Sequence, residues 1–467
     1  MRRIRIRAGV IILAAAVLAA ACSETSSTDD VTGGDDGSTT SASETTTGGD
    51  DGATTTEAGD DTTAPPTSGS GEVDLDSVVG RHAGQDWFLG TVPNAPVAAD
   101  ATAEPILIGL TNQENSPAGA FPEIRNAALA GVEFINAELG GVGGRPLELL
   151  TCEAVFDATV SQNCAQEHVQ NGVVALVGGI DVTSNGSIPI LEGNGVPQVG
   201  GIPANLEEQT SDHMFFFSGG TAGGVAAMLS HAAEQGAEKA FIAFGDFPSF
   251  SIAAEEYAVP VAEDLGLEVQ LAPFNLLTTD FLPVLTDAAD SGADAVIILA
   301  ADTACVNVIS DFEELVPGAQ LYMTGACAAD EIADALGDAL DTVILNNEGP
   351  NGTTTGGEIY QDVVDTYATE EAGGAGTVGF RGLMNLWAAL DAIGPEATSA
   401  DILEYMRAAE ARPSFWGHPY TCDGEQVPGL PALCAPQQTL FSFIDSDVVD
   451  VSGGWIDTVA IFERALG

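Results

Sequence analysis

Beyond residue 105 the chain keeps returning to one unit, a short apolar run followed by a turn and a helical stretch rich in Ala, Leu and Glu. The apolar runs are Ile106–Leu110, Val173–Val177, Pro197–Val199, Ala240–Phe244, Leu267–Leu271, Ala295–Leu299, Leu321–Met323 and Val343–Leu345. Between the first two, Asn126–Leu139 carries apolar residues at helical spacing. Strands alternating with helices in this way predict an α/β fold, with parallel sheets covered by helices on both faces. In open parallel sheets ligands bind beyond the carboxyl ends of the strands. The residues just after each apolar run are therefore the candidates for function.

The N-terminal region follows another plan. Arg2, Arg3, Arg5 and Arg7 precede an apolar run from Val10 to Ala21, and Cys22 follows. A basic start, a short apolar stretch and small residues before a cut make a secretory signal, and the run is too short to span a bilayer as a helix. Leu18-Ala19-Ala20-Ala21-Cys22 resembles a bacterial lipobox, with Ala19 where Leu is usual. The expectation is a signal peptide over 1–21 and a lipidated Cys22 as the mature N-terminus, anchoring an extracytoplasmic protein to the cell membrane. Residues 22–72 are nearly all Ser, Thr, Gly, Asp, Glu and Ala. Such a segment buries too little apolar surface to offset the entropy of ordering and reads as a disordered tether. As a flexible coil of about 50 residues it spans roughly 40 Å.

Charge excludes one class of partner. The net charge is −57, and four of the twelve basic residues precede Cys22, leaving 69 carboxylates against few cations. Nucleic acid binding needs clustered Lys and Arg, and beyond Cys22 there is no such cluster. Six cysteines follow Cys22, and six allow 15 connectivities. They fall into three local pairs in an oxidising compartment, so the expected disulfides are Cys152–Cys164, Cys305–Cys327 and Cys422–Cys434. No Cys/His spacing suggests a metal, no Walker loop, nucleophile elbow or zincin motif is present, and no cofactor is expected.

Asn136-Ala-Glu-Leu-Gly-Gly-Val-Gly-Gly-Arg-Pro-Leu-Glu-Leu149 closes the first helix, turns, and starts a second strand. It resembles the Asn-x-x-Gly-Gly-x-x-Gly signature of the leucine/isoleucine/valine-binding type of periplasmic substrate-binding protein, with one extra residue after Asn136. Asn115-Ser116-Pro117, Gly178 to Ser184 and Gly245 to Phe250 follow in the same order. The loop Cys422–Cys434 resembles one in actinobacterial members. The resemblance implies a type 1 periplasmic binding protein fold, two Rossmann-like lobes with parallel sheets joined by a three-stranded hinge. The crossovers fall near Gly219, Pro350 and Pro436. Lobe 1 is then 105–218 and 351–435, lobe 2 is 219–350 and 436–467, and 73–104 is an N-terminal extension.

The resemblance also implies a solute site between the lobes. Ser116 and an aromatic wall at Phe121 follow the first strand. Thr183 and Ser184 follow the third and retain donors for a ligand carboxylate. Gly201 and Pro203 lie in the next loop, where a hydroxyl donor is replaced by Ala204. Phe250 forms a second wall. The carboxylate that receives a ligand ammonium in that family falls on Ala326 and is missing, and Asp302 is placed to replace it, or else to cap a helix at Thr303. Arg381 heads a helix beside the cleft, either as a bidentate clamp on a ligand or in a surface or inter-lobe ion pair with one of the many acids. Phe380 and Trp416 are cleft-wall or core residues. The implied function is capture of a small organic solute (amino-acid-like, carboxylate or amide) for ABC permease subunits. The alternatives are a sensory receptor of the same fold and a secreted enzyme.

Overall fold

The structure is a computed structural model that describes residues 75–116, 119–351, 353–444 and 447–467. The expected signal peptide, the expected lipidation at Cys22 and the expected tether fall on residues outside the described ones. No helix among the described residues is long and apolar enough to cross a membrane.

Two sheets organise the chain. The first contains β1 (Ile106–Gln113), β2 (Leu147–Ala154), β3 (Leu176–Gly178), β4 (Gln198–Val199) and β5 (Met214–Phe215) in the order β2-β1-β3-β4-β5. All its pairings are parallel. The second contains β6 (Lys239–Gly245), β7 (Glu268–Phe274), β8 (Ala295–Leu299), β9 (Gln320–Met323), β10 (Val343–Asn347), β11 (Thr439–Ile444) and β12 (Asp447–Asp450), ordered β12-β11-β10-β9-β8-β6-β7. Its first five strands in chain order repeat the arrangement of the first sheet, and β11 and β12 then add an antiparallel edge. The strand order therefore reverses twice, between β1 and β3 and between β6 and β8. Such reversals open the crevice in which α/β proteins bind ligands.

The differences from the sequence reading have simple causes. β5 and β4 are two residues long and carry no detectable periodicity. β3 lies at Leu176–Gly178 because its neighbour in register is the centre of β1, with Gly109 opposite Leu176. The antiparallel β11 is short and mixed in composition, and it is invisible to a search for βα units.

Helices cover the sheets as apolar patterning requires. Helix Pro122–Glu138 begins with Pro in its first turn and packs against helix Gly376–Ile393. The approach is close enough that a Cβ on Gly131 would lie 2.6 Å from Leu383 Cδ2. The chain before β1 joins the same core: Val78 and Val79 are buried, their amides donate to Glu138 at 3.0 and 2.7 Å, and Trp87 lies against Trp387. Disulfides join Cys152 to Cys164, Cys305 to Cys327 and Cys422 to Cys434. The last closes a loop whose Val427 and Leu430 are buried in the core shared with Val225 and Leu229, while the Tyr257 hydroxyl donates to Pro428 O at 3.0 Å.

Candidate functional site

The loops at the two reversals meet. A Cβ on Gly119, after β1, would lie 3.1 Å from Asp302 Oδ1, after β8, and 3.0 Å from Phe121 Cζ. Two residues singled out from the sequence, Phe121 and Asp302, thus face each other from opposite sheets. Phe121 is set by a reciprocal pair of contacts: its amide donates to Gln113 O at 3.0 Å and its carbonyl accepts from Asn112 Nδ2 at 2.7 Å. Asp302 opens a short 3-10 turn and accepts the Thr303 amide at 2.7 Å. Burial pushes its carboxyl up. Asp302 is therefore the first residue of its turn and not its cap, and its carboxylate holds the next amide while facing Gly119 from the opposite sheet.

A residue that the sequence reading did not single out completes this face. Glu123, in the first turn of helix Pro122–Glu138, has its carboxyl pushed up to about 7, first by burial and then by the negative charges of Asp302, Glu371 and Glu114. Glu114 is paired with Arg125 at 3.0 Å, whereas neither Glu123 nor Asp302 belongs to an ion pair among the described residues. Its position one residue after Phe121-Pro122 was the available signal. Ser116 and Phe250, the other candidates after these strands, are both half-buried, with Phe250 edge-on to Phe247 at 6.4 Å.

Other candidates are held inside the protein. The Thr183 amide and hydroxyl both donate to Asp181 Oδ1, at 2.9 and 2.8 Å. Ser184 is buried and its hydroxyl accepts from Asn205 Nδ2. In place of two free donors, the segment after β3 has an internal network. Gly201 has φ +89°, and a Cβ there would sit 2.6 Å from Gly179 O, so this glycine permits the loops after β3 and β4 to touch. Pro203 packs on Gly220, where a Cβ would meet its ring at 2.9 Å. Ala326 lies half-buried in a 3-10 turn that is held by Gly325 N donating to Asn346 Oδ1 at 3.1 Å.

Arg381 takes the ion-pair alternative. It is 7% exposed, and its guanidinium donates to Glu348 O at 2.5 Å and Glu348 Oε2 at 2.8 Å. Glu348 also accepts from the Ser218 hydroxyl, and Asn346 Nδ2 donates to Gln438 Oε1 at 2.8 Å. Residues near all three expected crossovers are thereby tied together. Burial pushes the Glu348 carboxyl up, against the pull of Arg381. Phe380 is fully buried between Tyr360 and Phe415 and is a core residue. Trp416 is half-buried against Tyr360 and lines a cavity of about 330 Å³ with Trp87, Phe88 and Gly356.

Sequence positions gave no metal spacing, yet Glu192, Asp212 and His213 come together with ligand atoms within 4.8 Å of one another. Asp212 is exposed and bonded to His213 at 2.6 Å and Arg407 at 3.5 Å, which accounts for this surface group as ion pairs.

Residues 105–427 match the sequence profile of a family described as periplasmic binding protein. No curated protein sequence is a significant match. Among solved structures, the chain is similar to a solute-binding protein of an ABC transporter from Rhodopseudomonas palustris HaA2 in complex with p-hydroxybenzoic acid, at 18% identity and TM-score 0.63, over 76% of this chain and 97% of that one. A leucine-binding protein from Thermotoga maritima matches at 17% identity and TM-score 0.61, over 74% and 97%. A fatty acid ABC transporter substrate-binding protein from Thermomonospora curvata matches at 15% identity and TM-score 0.62, over 79% and 96%.

Proposed function

The chain belongs to the periplasmic binding protein family, and from that premise we propose that it is the extracytoplasmic substrate-binding lipoprotein of an ABC importer, capturing a small organic solute between two lobes. The observation that carries this reading is the approach of Asp302 to Gly119 and Phe121, which closes the carboxyl end of one sheet on that of the other. In this reading lobe 1 comprises 105–218 and 351–435, lobe 2 comprises 219–350 and 436–467, and the Ser218–Glu348–Arg381 cluster is the hinge. A solute that touches both lobes favours the closed form and shifts the population toward it. Permease subunits then recognise the closed protein, and the lipid on Cys22 keeps it at the membrane.

The solute carries a protonated amine or a comparable donor. Asp302 and Glu123 receive it, and Phe121 and Phe250 pack its apolar part, with Ser116 at the rim. An anionic group has little support: Arg381 is held by Glu348, the Thr183 amide and hydroxyl donate to Asp181, and the Ser184 hydroxyl is hydrogen-bonded to Glu208 while accepting from Asn205. The ligands named for the structural neighbours, an aromatic acid, leucine and fatty acid, support an organic solute and leave the choice to this chain's own residues.

A thermal-shift panel of amines, amino acids, amides and carboxylates on the mature chain tests this. A solute at about 100 times its dissociation constant adds roughly 2.7 kcal/mol. Shifts confined to amine-bearing solutes, and lost in Asp302→Asn, are expected. Shifts confined to carboxylates without an amine would sink the assignment of solute class. Anchoring is tested separately, since Cys22→Ala is expected to move the protein from the membrane fraction to the medium.

A further inference from the structure

The cavity of about 330 Å³ beside Trp416 shares no residue with the Asp302–Phe121 face. Its walls come from Asp86, Trp87 and Phe88, from Pro350 and the start of helix Thr355–Tyr367, and from the loop Ser414–Gly417. The first of these segments precedes residue 105, where the family match begins, so part of the wall lies outside the matched region. The volume suits a small organic molecule.

The walls are aromatic, and their arrangement is fixed by packing. Trp87 and Phe88 stand edge to face with ring centroids 5.2 Å apart and planes at 77°, and Phe88 meets Phe415 at 5.3 Å and 87°. Trp416 lies across the glycines that open the helix: a Cβ on Gly356 would come within 3.0 Å of Trp416 Cβ, and one on Gly357 within 3.3 Å of its ring. Trp416 has φ +43°, a left-handed conformation that a bulky residue adopts at a cost. Strain of this kind gathers at ligand clamps.

Two observations define the chemistry of a ligand. The indole N–H groups of Trp87 and Trp416 are sealed from water without a partner, although both residues are only half-buried. The rings therefore present carbon surface to the cavity and offer no hydrogen-bond donor. Asp86 is exposed and is the one charged side chain among the described residues of the lining. Basic groups on the surrounding elements are engaged elsewhere. Arg381, whose stem lies beside Gly417, is held by Glu348, and Arg81 and His82 are paired with Asp362. The positive end of the helix is answered by the Thr354 hydroxyl, which accepts the Gly357 amide at 3.2 Å, and by Glu358 in the first turn.

We propose that this cavity binds an organic cation, a methylated ammonium group, against Trp87, Phe88 and Trp416, with Asp86 as its counter-charge. A cation over an aromatic face is drawn to the negative ring surface. A methylated ammonium has no N–H to satisfy, so carbon walls and one carboxylate suffice. The net charge of −57 raises the concentration of cations around the whole protein. This ligand is separate from the solute held between the lobes.

The test titrates the full mature chain by calorimetry with choline chloride and with its neutral carbon isostere, in which a tert-butyl group replaces the trimethylammonium. Sodium chloride at matched ionic strength is the blank. Choline is expected to bind at a saturable site, and the neutral isostere about tenfold more weakly. Trp87→Leu is expected to weaken choline about tenfold. Asp86→Asn, on an exposed residue, serves if Trp87→Leu folds poorly; it should weaken choline and leave the isostere unchanged. Asp302→Asn is expected to leave choline binding intact, which keeps this site apart from the solute site of the proposed function. Absence of saturable choline binding, equal affinity for the isostere, or a loss confined to Asp302→Asn would each overturn the proposal.

Discussion

The two sheets share a strand order but finish their carboxyl ends by opposite means. In the first sheet the last residues of β1, Thr111, Asn112 and Gln113, are buried and polar. They reach outward, with Asn112 Nδ2 donating to Phe121 O at 2.7 Å and Gln113 Nε2 donating to Gly119 O at 2.8 Å. The network continues through Asp181, Ser184 and Glu208. In the second sheet β8 is aliphatic and buried throughout, Ala295–Leu299, and the loops beyond it are tied by the Cys305–Cys327 disulfide and short 3-10 turns. Hydrogen bonds are directional, whereas apolar packing is not. The first sheet therefore fixes the orientation of the loops at its carboxyl end, and the second presents Asp302 from a packed block.

The joint between the two regions should show the largest effect. Arg381→Met leaves Glu348 buried and unpaired, which is expected to cost about 3–5 kcal/mol in urea unfolding; a loss below 1 kcal/mol would mean the pair is dispensable. Within the aliphatic edge, Ile297→Ala removes a fully buried side chain and should cost about 2–5 kcal/mol. Asn112→Ala, at the polar edge, should cost about 1–3 kcal/mol because partners of a buried amide are left unsatisfied. Solute affinity sharpens the contrast. Asn112→Ala is expected to weaken binding more than Ile297→Ala does, and the reverse ranking would break the distinction drawn between the lobes.

A further test of the contrast is a dependence on pH that belongs to the first lobe. Glu123 and Glu208 have folded pKa values of about 7 and about 8, above the ordinary 4.5. Between 4.5 and those values the folded protein binds more protons than the unfolded chain, so stability falls as pH rises through that window and levels off above about 8. Urea midpoints from pH 5 to pH 9 read this slope, and Glu208→Gln should flatten its upper part. A midpoint that climbs across the window would contradict the assignment.

Much of the frame was legible in residue order. β6, β8 and β9 announce themselves because strands buried on both faces need unbroken apolar runs, and Gly140-Gly141 marks the release of a helix into a turn at positive φ. Phe121 and Asp302 were singled out through the family resemblance, which places them after strands. Glu123 was missed because, among 69 acids, its place one residue after Phe121-Pro122 is a faint signal until a fold removes it from water.

Local chemistry by itself determined the βα alternation, the three short-range cysteine pairs and the acidic balance that excludes nucleic acid, since each depends on neighbours along the chain. Only the tertiary structure decided which side chains are available. Arg381 and Glu348 stand 33 residues apart, Ser184 and Asn205 21 apart, and Asp302 meets Gly119 from another sheet. A polar group's role depends on whether folding gives it a partner or leaves it facing a cavity, and partners so distant in sequence are chosen by packing.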